Sequence, residues 1–183
     1  MRDLNAVRRT VSVFGGRHPA AGDDEYQKAF KLGSLLAIAG YSVMSGGYSG
    51  AMEAVSRGAI EAGGIAIGVT MEIFGNLSPN KYLTREIRSR DFFERLKVLT
   101  NGADGFIAIR GGMGTLTEVG LIWNMLQTGT LGRKPLILVG QFWRELLRAV
   151  SDHLVISRRD LELPLYVDSA EDAVTQLQRF HSV

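Results

Sequence analysis

Gly105-Phe106-Ile107-Ala108-Ile109-Arg110-Gly111-Gly112-Met113-Gly114-Thr115-Leu116-Thr117-Glu118-Val119-Gly120 is the stretch that decides how this chain folds. Residues 105–109 form an apolar run with the length of a buried strand, and a helical pattern follows to about Thr128. A strand that breaks into glycines and then enters a helix leaves several backbone N–H groups unpaired at one point. Those donors, with the positive end of the helix dipole, suit a phosphate. Thr115 can add a hydroxyl, and Glu118 lies within the first turn. The expectation is a nucleotide phosphate held on Gly111, Gly112, Met113, Gly114 and Thr115, beside a carboxylate that does chemistry.

Outward from this stretch the same alternation repeats. Thr10–Phe14 reads as a first strand that stops at Gly15-Gly16. A helix capped by Asp23 or Asp24 follows, with Tyr26, Ala29, Phe30, Gly33, Leu36 and Ala37 on one face and Gly40 at its end. Residues 41–44 form a second strand, broken by Ser45-Gly46-Gly47. Ser49 is a cap for a helix over 50–62 that Gly63-Gly64 stops. Residues 65–69 form a third strand. The 71–82 segment is long for a loop between a strand and a helix and reads as a binding loop or a surface insertion. A short strand within 82–89 and a helix from Asp91 to about Thr100 lead back to the opening stretch.

Beyond it, 135–139 is another strand, and Trp143, Leu146, Leu147, Val150 and Leu154 mark one face of an amphipathic helix. Residues 165–167 are a last strand. Asp168 or Ser169 caps a final helix that buries Ala173, Val174, Leu177 and Phe180. Strands alternating with helices predict an α/β fold, a single doubly wound, mostly parallel sheet with helices on both faces, over 1–183 as one Rossmann-like domain. In such sheets ligands bind at strand carboxyl ends near the switch point. The turns at Gly15-Gly16, Gly46-Gly47 and Gly111-Gly112 are predicted to converge on one crevice.

Composition narrows the classes. A length of 183 residues with 45% hydrophobic and 22% charged residues is enough for one buried core. Acids and bases nearly balance at net charge +2, so the basic sequence pI of about 9.0 does not argue for nucleic acid, and none is expected as a partner. With no cysteine there are no disulfides, thiolate nucleophiles or cysteine-based metal sites, which fits a cytoplasmic protein. The first ten residues lack the apolar core of a signal peptide, and no apolar run approaches the roughly 20 residues that cross a bilayer, so no membrane is expected.

Generic nucleotide motifs fail on spacing: a Walker A loop is absent, and Thr117 stands where a dinucleotide fingerprint needs its third glycine. His18, His153 and His181 are too scattered for a metal set or a triad. Glu118 has a second reading, since Thr115-Leu116-Thr117-Glu118 is also a capping box. Arg95 likewise reads as an i,i+4 partner of Asp91 on a solvated face. Arg85, Arg88 and Arg90 are further phosphate candidates, diluted by Glu86, Asp91 and Glu94. The helix after Thr115 is apolar on nearly every side through Val119, Leu121, Ile122, Trp123, Met125 and Leu126. That surplus points to a homodimer through 115–128, or to cover by a neighbouring helix of the same chain.

Gly111-Gly112-Met113-Gly114-Thr115-Leu116-Thr117-Glu118 resembles the Pro-Gly-Gly-x-Gly-Thr-x-x-Glu signature of the LOG (Lonely Guy) family, long labelled "possible lysine decarboxylases". Ser45-Gly46-Gly47-Tyr48-Ser49-Gly50-Ala51-Met52 is similar to the family's second glycine turn, and Ala103-Asp104-Gly105-Phe106-Ile107-Ala108-Ile109 to its strand. The resemblance implies a Rossmann-like dimer and a phosphoribohydrolase. Such an enzyme cuts the bond between base and ribose in a nucleoside 5'-monophosphate and needs no cofactor. It implies a catalytic pair of Glu118 and Arg95, with the phosphate on Gly15, Gly16, Gly46, Gly47 and the Gly111, Gly112, Met113, Gly114, Thr115 turn. The chain departs from the pattern at Phe92-Phe93 for Met-His, Leu96 for lysine and Arg110 for proline. The alternative is a non-catalytic nucleotide or molybdenum-cofactor carrier, or a sensor, on the same fold.

Overall fold

The computed structural model describes residues 9–74 and 77–182. Its strands are β1 (Thr10–Phe14), β2 (Ser42–Ser45), β3 (Ala66–Met71), β4 (Arg85–Ser89), β5 (Gly105–Ala108), β6 (Leu136–Val139) and β7 (Pro164–Val167). The helices are α1 (Asp24–Ile38), α2 (Ala51–Glu61), α3 (Phe92–Asn101), α4 (Met113–Gln127), α5 (Gln141–His153), the short α6 (Arg158–Leu161) and α7 (Ala170–His181).

All seven strands join one sheet in the order β4-β3-β2-β1-β5-β6-β7, and every neighbouring pair is parallel. Parallel neighbours need crossovers, and helices on both faces supply them except from β3 to β4, where the described residues hold only a 3-10 turn at Glu72–Phe74. Alternation along β1 assigns the faces. Val11 and Val13 enter a core with Leu36, Val55 and Leu177 of α1, α2 and α7. Phe14 enters the opposite core with Leu99, Val119 and Trp143 of α3, α4 and α5, and the Ser12 hydroxyl on that side donates to the Leu99 carbonyl at 2.7 Å. The α/β, Rossmann-like expectation holds, with a wholly parallel sheet. The chain runs outward from β1 to β4 and returns to place β5 on the other side of β1, so the switch point lies between β1 and β5.

Two glycines set the closest helix contact. A Cβ at Gly33 of α1 would collide with the Val55 carbonyl oxygen, and one at Gly58 of α2 with the Phe30 carbonyl oxygen. Each helix rests its backbone on the other's bare Cα. Leu32 joins the buried face of α1, while Phe30 is only half-buried beneath the Arg57 guanidinium, 5.5 Å from its ring centroid.

Several local expectations are corrected. Gly50, at φ 74°, is the cap residue of α2, because the chain turns there through a conformation that favours glycine. The expected cap Ser49 instead donates its hydroxyl to the Arg17 carbonyl at 3.3 Å. On α5 only Trp143 and Leu147 are buried; Leu146 is exposed and Leu154 lies past the helix end in extended backbone. Phe180 is half-buried, with Arg133 stacked 5.3 Å from its ring centroid. The four residues of α6, capped by Ser157, carry too little periodicity to be foreseen.

Gly75 and Asn76 of the 71–82 loop lie outside the described residues, as do the first eight residues of the chain. The far end of that loop is fixed by Asn80. Its N–H donates to the Gly47 carbonyl at 2.8 Å and its side-chain amide to the Tyr48 carbonyl at 3.2 Å. Among the described residues no helix is long and apolar enough to cross a membrane.

Candidate functional site

The three glycine turns meet at the carboxyl ends of β1, β2 and β5. Val13 pairs with Ile107 and Phe14 with Ala108, so the turns after β1 and β5 leave the sheet side by side. They are joined by Gly16 N–H donating to the Arg110 carbonyl at 3.0 Å, and the Gly16 carbonyl accepts from Ala51 N–H of α2 at 2.9 Å. The result is a cavity of about 290 Å³ walled by Gly15 and Gly16, by Gly46, and by the start of α4 from Gly112 through Thr115. Of the predicted cradle, Gly47 and Gly111 stand behind this wall. Gly47, at φ 79°, turns the chain against Gly68 of β3. Gly111 leaves room for the Thr115 side chain, which would overlap a Cβ there.

Glu118 lies at the bottom of the cavity. Helix α4 starts at Met113 with Gly112 as its cap residue and no side-chain cap bond. Thr115 is therefore already inside the helix and the capping box does not form; Thr117 turns its hydroxyl back to the Met113 carbonyl at 2.8 Å. That frees Glu118 from the structural role that the four residues alone suggest. Its carboxylate, on a residue 9% exposed, makes no hydrogen bond or ion pair among the described residues. Burial pushes its pKa up to about 7, and the Arg95 charge acts the other way.

Arg95 belongs to α3, which Asp91 caps by accepting Glu94 N–H at 2.8 Å. The solvated ion pair with Asp91 is overturned, because the Arg95 side chain points inward and the residue is 8% exposed. Its Nε donates to the Val69 carbonyl of β3 at 2.8 Å, and the guanidinium lies 5.9 Å from the Tyr48 ring centroid. Nη2 packs directly on Gly46, where a Cβ would overlap it. The Gly46 turn thus makes room for the guanidinium at the cavity wall.

Other basic side chains nearby have different partners or surroundings. Arg88 pairs with Glu86 at 3.4 Å and Arg90 with Glu94 at 3.1 Å. Lys97 shares a separate shallow groove with Phe93, while Leu96 is buried. Arg110 stacks 5.6 Å from the Phe142 ring centroid. Sequence reasoning missed Arg17, His18 and Met52, which also line the cavity. The signal was available, because Arg17 and His18 directly follow the first glycine turn.

Comparison with known proteins identifies the family and the fold. The chain is 29% identical over 181 residues to a cytokinin riboside 5'-monophosphate phosphoribohydrolase of Mycobacterium marinum, covering 91% of this chain and 92% of that one. It is 26% identical over 195 residues to one of Arabidopsis thaliana, covering 98% and 86%. A solved molybdenum cofactor binding protein from Rippkaea orientalis superposes with a TM-score of 0.74 at 24% identity, covering 94% and 96% of the two chains. A sequence model of the family described as "possible lysine decarboxylase" matches residues 52–177, which include Arg95 and the whole glycine-to-Glu118 signature. With that match over most of its length, a parallel sheet switching between β1 and β5, and Glu118 beneath three converging glycine turns, this chain belongs to the LOG family.

Proposed function

We propose that the protein hydrolyses the N-glycosidic bond of a nucleoside 5'-monophosphate, releasing free base and ribose 5-phosphate. The observation that carries this is Glu118, an unpartnered, buried carboxylate below the amino end of α4 with the Arg95 guanidinium across the same cavity. The 5'-phosphate rests on the free N–H groups of residues 112–115, where glycines allow close approach. That places the ribose over Glu118. As the bond between C1' and the base nitrogen breaks, its electron pair leaves with the base and positive charge develops on the ribose. The carboxylate stabilises that charge and takes a proton from the attacking water, whose oxygen bonds C1'; the proton passes on to the departing base. Arg95, fixed through Val69 and Gly46, lies across the cavity from Glu118 and orients the ribose hydroxyls.

Two further parts of this reading are a site shared by no metal or organic cofactor and a homodimer through α4. Leu116, Trp123, Met125 and Leu126 pack on their own core, and Trp123 Nε1 donates to the Asp160 carbonyl of α6 at 2.7 Å. Leu121 remains half-exposed on the outer side and supports the second copy.

A carrier that binds nucleotide or molybdenum cofactor without turnover is the second reading. It is favoured by Leu96, a buried side chain where the family signature places lysine, and by the likeness of fold to the cofactor-binding protein. Incubation with AMP, other monophosphates and an isopentenyl-adenosine monophosphate, followed by chromatography for free base, separates the two. Base release supports the hydrolase. Tight binding without release from any of them supports the carrier.

A further inference from the structure

The first glycine turn is followed by an arginine and a histidine whose side chains the phosphate cradle does not need for its shape. Arg17 and His18 line the cavity at its rim, with the amino end of α4 on another wall. Their backbone is held from three directions. Gly16 is bonded to Arg110 and to Ala51, the Arg17 carbonyl accepts the Ser49 hydroxyl, and Gly50 leaves the bare Cα against which Arg17 packs. Pro19 restricts His18 to extended backbone. The side chains, by contrast, are exposed, and Arg17 makes no ion pair among the described residues.

Charge balance gives the pair a task. A phosphate monoester carries about −1.5 to −2 at neutral pH, whereas a helix amino end supplies the equivalent of roughly +0.5. Arg95 is committed to Val69 and faces Glu118 in the interior. A second cation is needed near the phosphate, and Arg17 is the unpaired one at the rim.

We propose that Arg17 and His18 form a second arm of the phosphate site, gripping the 5'-phosphate from the β1 turn while the N–H groups of α4 hold its other oxygens. This rests on the phosphoribohydrolase reading for the identity of the ligand. It makes the phosphate itself the specificity determinant, so that a sugar phosphate binds and an unphosphorylated nucleoside does not.

Calorimetric titration of the full chain with ribose 5-phosphate, a probe that contains the phosphate and no base, tests the arm. Arg17→Ala and the double variant Arg17→Ala/His18→Ala are expected to weaken binding about tenfold or more, with Arg17→Lys restoring part of it. Melting temperatures should stay unchanged, because both side chains are exposed. Wild-type binding should weaken with salt more steeply than that of the double variant. Unchanged affinity in the double variant, or no binding of ribose 5-phosphate by the wild type, overturns the proposal. Release of base with the same KM by wild type and double variant also overturns it while leaving the hydrolase reading intact. Arg17-dependent binding without hydrolysis of any nucleotide supports the arm and removes the hydrolase reading.

Discussion

The Arg95 guanidinium rests on the bare Cα of Gly46, with Nη2 in the volume that a β-carbon at that position would fill. A glycine of the second turn thereby positions a charged side chain of α3, an element that begins more than 40 residues later in the chain. The backbone of Gly46 does not adopt a positive φ, so its lack of a side chain matters for space and not for torsion.

Gly46→Ala therefore separates position from stability. The methyl group meets the far end of a flexible side chain, so the fold is retained while the guanidinium moves. The expected result is a melting temperature near wild type with kcat/KM reduced on the order of 10²-fold. Wild-type turnover in this variant would remove Arg95 from its proposed role.

Glu118→Gln is expected to lower kcat by about 10²- to 10⁴-fold with ribose 5-phosphate binding retained. In the same experiment Asp91→Ala, which removes an observed helix cap, is expected to cost about 1 kcal/mol of stability. A comparable loss in the Glu118 variant with activity intact would restore a capping role for that residue.

The buried carboxyl also makes a pH prediction. Folding raises the Glu118 pKa from its ordinary value of 4.5 to about 7, so the ionised form is the one that the fold disfavours. Its contribution to stability is full below 4.5 and is lost as pH rises through about 7, with a ceiling of about 3 kcal/mol. Unfolding measured at pH 5 and pH 8 should show that loss in the wild type and a smaller one in Glu118→Gln. If the carboxylate is the base, kcat should rise through the same pH range.

Gly33→Ala and Gly58→Ala should each destabilise the protein by about 1–3 kcal/mol or more, measured by denaturant unfolding. In an exposed helix the same change stabilises by about 1 kcal/mol. The sign reverses here because the added methyl meets a backbone carbonyl of the neighbouring helix, which has no rotamer by which to yield.

Leu121→Asp is expected to convert a homodimer into a monomer in sedimentation velocity, with the fold intact, because Leu121 lies outside the core of its own chain. A monomeric wild type would refute the proposed α4 interface.

Local pattern alone carried much of this. The strand and helix order, the parallel sheet and the meeting of three glycine turns follow from apolar runs that end in glycine at regular intervals. Such punctuation is a backbone property and is written residue by residue. Glu118 was also visible as a candidate, yet its four-residue neighbourhood reads equally well as a helix cap. Arg95 reads as a surface ion pair beside Asp91.

Tertiary structure decided between those readings. Helix α4 begins at Met113 and not after Thr115, which leaves the carboxyl without a cap to make. The third and fourth strands bring Val69 within reach of Arg95, and the bare Gly46 admits its guanidinium. Arg17 and His18 share a cavity with the amino end of α4 only because the sheet sets the β1 and β5 turns side by side. By itself the sequence determined the alternating elements and the glycine breaks, because hydrophobic period and turn chemistry act over a few residues. The folded chain alone decided which charged groups share a cavity, because that depends on where a parallel sheet reverses its order and on how closely distant backbones approach.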